Sequence, residues 1–254
     1  MITSRTLERV RSGNFVRTAV LSRVVEPWLA ELIGRVGYDL IWLDMEHRDF
    51  SHDVVAPLAL ACRATGIDLM VRILKNGYTS PMGILESGAN GVMVPHCRSA
   101  AEARQWVEWS RFHPLGARGF DGGGVDADYM LVDPNEYMKH ANDETFLVLQ
   151  IEDRDAVESV ESIAATPGVD FLFVGPADLS ISYGVPFQFK HPDVQNAIDR
   201  VANAAAKAGK WWGMPTGSPE ATQLALSRGA SIVTGGNDHV FLVNGFKDAI
   251  TQFP

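Results

Sequence analysis

Phe146-Leu147-Val148-Leu149-Gln150-Ile151-Glu152 and Phe171-Leu172-Phe173-Val174-Gly175-Pro176-Ala177-Asp178-Leu179-Ser180 are two apolar runs, each ending in a lone acid, with one helix length between them. Neither run alternates apolar with polar. Continuous runs of this length suit strands buried on both faces, as in a parallel sheet whose crossovers are helices. The pattern recurs near residues 15–21, 40–45, 69–73 and 91–95, and again near 211–215 and 231–235. With 146–151 and 170–175 the strands number eight.

The segments between them carry helix marks. Ser99 with Glu102 forms a capping box ahead of an amphipathic run through Trp106 and Trp109. Asp155 is placed to cap the next helix, and Ser218-Pro219-Glu220 puts proline at a first helical position. Gly209 and Gly229 stand where helices must stop before a strand. Eight strand–helix units in 254 residues predict a single (β/α)8 TIM barrel domain over residues 1–254, with an open doubly wound sheet as the alternative. No linker or low-complexity tract interrupts it. One connection breaks the rhythm: between Pro114 and Pro134 the chain is polar and glycine-rich, and a long loop of this kind is expected on the catalytic face.

The net charge of −9, with no basic block, argues against nucleic acid and anionic membranes as partners. Cys62 and Cys97 lack the spacing of a metal or redox motif. The polar N-terminus has no secretion-signal core, and no run of about 18 apolar residues is present to span a bilayer. A soluble, cytoplasmic protein is the expectation.

Barrel active sites form at the C-terminal ends of the strands. There this chain delivers Asp44-Met45-Glu46-His47, Arg72, Pro95-His96, Gln150 with Glu152, and Gly175-Pro176-Ala177-Asp178. Singly, Glu152 reads as a first-turn acid and Asp178 as an N-cap. As a pair, one βα unit apart, they suit a shared hard cation such as Mg2+ or Mn2+, completed by water and substrate oxygens. His47 beside Asp44 and Glu46 is a candidate general base, and Arg72 in a buried strand needs an anionic partner. His96 has no comparable support and reads as structural. The Gly175-Pro176-Ala177 turn offers backbone amides to a carboxylate or phosphate. These parts suit a metal-dependent aldol cleavage or addition on a 2-oxo acid, whereas no lysine ends a core strand to form a Schiff base.

The motifs Asp44-Met-Glu-His47, Val71-Arg72, Leu85-Glu-Ser-Gly-Ala89, Val94-Pro95, Arg118-Gly119, Gln150-Ile-Glu152, Gly175-Pro-Ala-Asp-Leu-Ser180 and His191-Pro192 occur in order along the chain. In this the sequence resembles the class II pyruvate aldolases, the 4-hydroxy-2-oxoheptanedioate and 2-dehydro-3-deoxyglucarate aldolase family. The resemblance implies reversible cleavage of 4-hydroxy-2-oxo acids to pyruvate, or a related 2-oxo acid, and an aldehyde through a metal-stabilised enolate. It implies Glu152 and Asp178 as ligands of a divalent cation (Mg2+, Mn2+ or Co2+), His47 as base and Arg72 as enolate stabiliser. Gln150, the Gly175-Pro176 turn and the amides of Ala177 and Asp178 would bind the 2-oxo acid, and Asp44 would order the base or bound water. It further implies a homo-oligomer, a trimer of dimers with the last helix exchanged between subunits. Glu86 replaces an aspartate that in the family reaches the histidine of an adjacent subunit, with a longer arm. The loop at 118–129 is acidic where relatives are more basic and apolar, which predicts that an acidic semialdehyde is not the favoured acceptor. On the same scaffold, oxaloacetate decarboxylation and acyl-CoA lysis are alternatives, and a non-catalytic metal or 2-oxo-acid binder is the alternative of another class.

Overall fold

The computed structural model describes residues 1 and 3–253. Eight strands follow the predicted order: β1 (Val16–Leu21), β2 (Leu40–Asp44), β3 (Asp68–Arg72), β4 (Gly91–Val94), β5 (Phe146–Ile151), β6 (Phe171–Val174), β7 (Trp211–Pro215) and β8 (Ile232–Asn237). Each pairs in parallel with its neighbour, and β8 closes on β1, so the sheet is a barrel rather than an open layer. The helices are α1 (Arg5–Arg11), α2 (Pro27–Val36), α3 (Val55–Thr65), α4 (Thr79–Glu86), α5 (Ala100–Ser110), α6 (Pro134–Glu144), α7 (Arg154–Glu158), α8 (Val160–Ala164), α9 (Pro176–Ser182), α10 (Pro192–Lys207), α11 (Pro219–Ser227) and α12 (Asp238–Ile250).

The unbroken apolar runs have a two-sided cause. Leu40, Trp42, Met70, Met93, Phe146, Val148, Phe171 and Phe173 point inward and fill the barrel, with Leu7 and Val10 of α1 packed below them. Ile41, Leu43, Leu69, Val71, Leu147, Leu149, Leu172 and Val174 point outward and meet the helices. Because side chains alternate with period two, the inward row continues to Asp44 beyond Trp42, Arg72 beyond Met70, and Gln150 then Glu152 beyond Val148. Polarity enters the barrel only at its C-terminal rim on these strands and at its base.

At the base, Ser4 caps α1 and donates to Asp68 Oδ2 at 2.6 Å, and Thr6 N reaches the same oxygen at 2.8 Å. Ser99 and Ser218 cap α5 and α11 as predicted, and Gly209 (φ 65°) and Gly229 (φ 84°) take the left-handed backbone that lets those helices stop. The cap of α7 is Asp153, not Asp155: its carboxylate accepts Ala156 N at 2.9 Å, two residues earlier than the sequence pattern suggested.

Two features depart from a plain barrel. The loop after Pro114 does not sit on the catalytic face. It joins α5 to α6, so it leaves from a helix C-terminus at the opposite rim and runs along α4, where Gly119 N donates to Tyr78 Oη at 2.6 Å. Connectivity decides this, since only strand-to-helix loops open onto the catalytic rim. The second feature is α12. Of its residues only Asp238 is buried, while Phe241, Leu242, Phe246 and Ile250 are exposed. An apolar groove of about 430 Å³, lined by Leu21, Trp28, Leu32, Val36 and Phe241 among others, stays open between β1, α2 and the start of α12. Among the described residues no helix is long and apolar enough to cross a membrane.

Candidate active site

Arg72 organises the rim. It is 7% exposed, and burying a guanidinium demands matched acceptors. It finds them in a fork on Asp44, with Nε to Oδ1 at 2.9 Å and Nη2 to Oδ2 at 2.8 Å. Its Nη1 lies 2.9 Å from Glu46 Oε2 and 3.5 Å from Gln150 Oε1. Beneath, the guanidinium carbon sits 5.0 Å from the centre of the Trp42 ring. Burial alone would raise the Asp44 carboxyl, but the Arg72 contacts outweigh it and hold Asp44 below the usual carboxylate range.

Asp44 also shapes the turn that follows β2. Its Oδ1 accepts Glu46 N at 3.1 Å and His47 N at 3.5 Å, a side-chain-closed turn of the kind aspartate favours. Glu46 is thereby aimed at Arg72, and the His47 ring stands over the rim with its side chain 56% exposed. His47 Nε2 lies 3.6 Å from Glu46 Oε2.

Glu152, just past β5, is 1% exposed. Its Oε1 accepts His96 N at 2.7 Å, and the His96 ring Nδ1 lies 3.3 Å from the same oxygen. Its Oε2 faces Gly175, where any Cβ would overlap it and stand 2.8 Å from Glu152 Cβ. Glycine is required there by space, not by backbone angle. Loss of hydration pushes the Glu152 carboxyl up to about 7; the neighbouring His96 opposes this and Glu46 adds to it. Among the described residues Glu152 pairs with no Lys or Arg: Arg72 is already shared by Asp44 and Glu46, and the basic group that Glu152 meets is the His96 ring at 3.3 Å. A buried carboxylate short of positive charge is a fitting ligand for a cation. Asp178 lies in the first turn of α9, the helix that starts directly after Gly175.

Among the described residues, no three His, Cys, Asp or Glu side chains gather closely enough to cage a metal by themselves. Two carboxylates plus water and substrate oxygens is the donor set a hard ion accepts, so Glu152 and Asp178 fit such an ion.

The barrel therefore brings Asp44, His47, Arg72, Gln150, Glu152 and the Gly175–Asp178 turn to one rim. It does not bring Glu86 there. Glu86 is the last residue of α4, at the rim away from His47. Burial raises its carboxyl; Arg118 opposes that, while Asp126 and Asp121 add to it. His96, read from sequence as structural, belongs to the site. Its position after a rim strand was a visible signal, but its contact with Glu152 was not, because the two are far apart in sequence.

The chain is similar to known proteins along most of its length. A 2-keto-3-deoxy-L-rhamnonate aldolase of Klebsiella pneumoniae is 32% identical over 231 residues, which span 89% of this chain and 84% of that protein. The crystal structure of an HpcH/HpaI aldolase from Desulfitobacterium hafniense superposes with a TM-score of 0.90 at 30% identity, covering 97% of this chain and 96% of the other. An HpcH/HpaI aldolase/citrate lyase family protein from Burkholderia cenocepacia gives 0.90 at 31% identity, covering 98% and 99%. The family description itself matches residues 17–245, from the first barrel strand into the last helix, and so takes in the whole rim. This chain belongs to the HpcH/HpaI aldolase/citrate lyase family of carbon–carbon lyases.

Proposed function

We propose that this protein is a divalent-metal-dependent aldolase that reversibly cleaves a 4-hydroxy-2-oxo acid to pyruvate, or a related 2-oxo acid, and an aldehyde. The observation that carries the reading is one guanidinium, Arg72, shared among Asp44, Glu46 and Gln150 beside a buried Glu152 that meets the His96 ring but, among the described residues, pairs with no Lys or Arg. A divalent ion held by Glu152 and Asp178 would supply a Lewis acid for the keto group of the substrate.

The chain's own groups account for the rest. Ala177 and Asp178 stand in the first turn of α9, where backbone N–H groups lack intrahelical acceptors, and they bind the substrate carboxylate. Gln150 orients the 2-oxo acid from the barrel interior. Arg72, fixed by its fork on Asp44, meets the negative charge that collects on the keto oxygen as the C3–C4 bond breaks. His47 takes the proton of the C4 hydroxyl as C3–C4 breaks and delivers it to C3 of the enolate to give pyruvate; in the reverse direction it removes a methyl proton and returns it to the new alkoxide. The exposed ring of His47 faces the open side of the rim, where an aldehyde enters and leaves.

The aldehyde partner we propose is neutral and hydroxylated, as the name of the Klebsiella relative suggests for that enzyme. In the assembly proposed below, the loop carrying Asp121 and Asp126 would lie along α4 beside the rim of a neighbouring subunit, where its negative charge would disfavour an anionic acceptor. Assembly completes the proposal: α12 with its exposed Phe241, Phe246 and Ile250 docks on another copy, in a homo-oligomer of exchanged helices.

The test is exchange of pyruvate methyl protons into D2O, followed by NMR with EDTA-treated protein and then with Mg2+, Mn2+ or Co2+ restored. Metal-dependent exchange that is lost in Glu152→Gln and His47→Ala supports the reading. Folded protein that exchanges with no metal added back, or with none of the three, overturns it.

A further inference from the structure

His96 follows Pro95 at the end of β4 and adopts a left-handed backbone with φ 48°. For a residue with a side chain that conformation is strained. The strain has a visible product. Both the N–H of His96 and its ring address one oxygen, Glu152 Oε1, at 2.7 Å and 3.3 Å. The far side of the ring, Nε2, lies 3.6 Å from Glu46 Oε1. The His96 carbonyl accepts Lys75 Nζ at 3.0 Å, which fixes the strained peptide from its other side. Nδ1 itself is buried and has no hydrogen bond of good geometry.

We infer that His96 is a positioning residue that clamps Glu152 through Oε1 and so leaves Oε2 as the oxygen with free lone pairs for a divalent ion. Oε2 is pressed over Gly175, so the carboxylate is stopped on one side by backbone and held on the other by His96. A free carboxylate loses rotational freedom when it binds an ion, and one already clamped has less to lose. The inference rests on the reading of Glu152 as a metal ligand.

The experiment uses the full-length, EDTA-stripped protein and Mn2+ alone, reading free Mn2+ by EPR and thermal melting without metal. His96→Gly keeps the N–H and favours the left-handed backbone but removes the ring. His96→Asn tolerates the same backbone and restores a side-chain donor. Partners that orient a ligand are commonly worth about 10–100-fold in metal affinity, so His96→Gly is expected to raise the Mn2+ Kd by about 10-fold or more. It should melt at or above the wild-type temperature, because strain is relieved, and His96→Asn should recover part of the affinity. A merely structural residue would show the opposite pattern, a lower melting point with unchanged affinity. Glu152→Gln separates the two layers of reasoning. If it binds Mn2+ as the wild type does, or the wild type does not bind, the metal-ligand reading falls. If it abolishes binding while His96→Gly leaves the Kd unchanged, only the role of His96 falls.

Discussion

Gly175→Ala adds one methyl group and removes no functional atom, yet the geometry predicts a large loss of activity. The backbone at Gly175 (φ −95°, ψ 88°) is open to alanine, so the effect is steric. The new Cβ would overlap Glu152 Oε2, stand 2.8 Å from Glu152 Cβ and 3.3 Å from its Cδ. A carboxylate tip alone could swing aside cheaply. Here Oε1 is tied to His96 N at 2.7 Å, and the Cβ clash reaches the root of the side chain. Relief therefore requires β5 and β6 to part at their last pairing, where Gly175 N meets Ile151 O at 3.3 Å. Overpacking of this kind costs about 1–3 kcal/mol. In a domain of this size that lowers Tm by roughly 2–12 °C. Displacing a reacting group by about 1 Å costs on the order of 100-fold in rate, so metal-dependent pyruvate proton exchange should fall by that order while the protein stays folded. The assay is NMR exchange beside a melting curve. Exchange at the wild-type rate with an unchanged Tm would refute the argument, because Glu152 would then have room that the geometry denies it.

Three further outcomes are expected. Trp42→Leu removes the ring beneath Arg72, a buried cation–π contact worth about 2 kcal/mol, and should lower the exchange kcat more than it raises the KM for pyruvate, with Trp42→Phe largely restoring kcat; equal kinetics for Leu and Phe would count against the ring. Asp238 is buried, which raises its carboxyl, but the amides of Val24 (2.7 Å), Arg23 (2.6 Å) and Ser22 (3.0 Å) outweigh this and set it below its ordinary 3.8. Because its folded pKa is depressed, its contribution is complete above 3.8 and lost as pH falls through the lower folded value. Asp238→Asn should thus cost about 2 kcal/mol at neutral pH, and the gap to wild type should close on acidification below about pH 4; a gap that is flat or widens would contradict the assignment. Finally, Phe241→Asp with Phe246→Asp should reduce the particle mass seen in sedimentation, and a wild type that sediments as a monomer would remove the exchanged-helix proposal.

The barrel and most of its rim were legible in the linear sequence because both depend on short-range periodicity. Apolar residues at both parities marked strands buried on two faces, and where the inward parity turned polar, at Asp44, Arg72, Gln150 and Glu152, the chain had reached the rim. Helix caps such as Ser99 and Ser218 are equally local, since the cap oxygen and the backbone N–H it accepts from lie three residues apart. Only the tertiary structure decided what depends on closure of the barrel. It set His96 against Glu152 across two strands, a contact bought with a left-handed backbone that no local pattern signals. It ran the glycine-rich loop from the opposite rim along α4, because the direction of a loop follows from which helix end it leaves. It also left the apolar side chains of α12 exposed and set Glu86 at the rim away from His47, because both depend on how the closed barrel orients each helix.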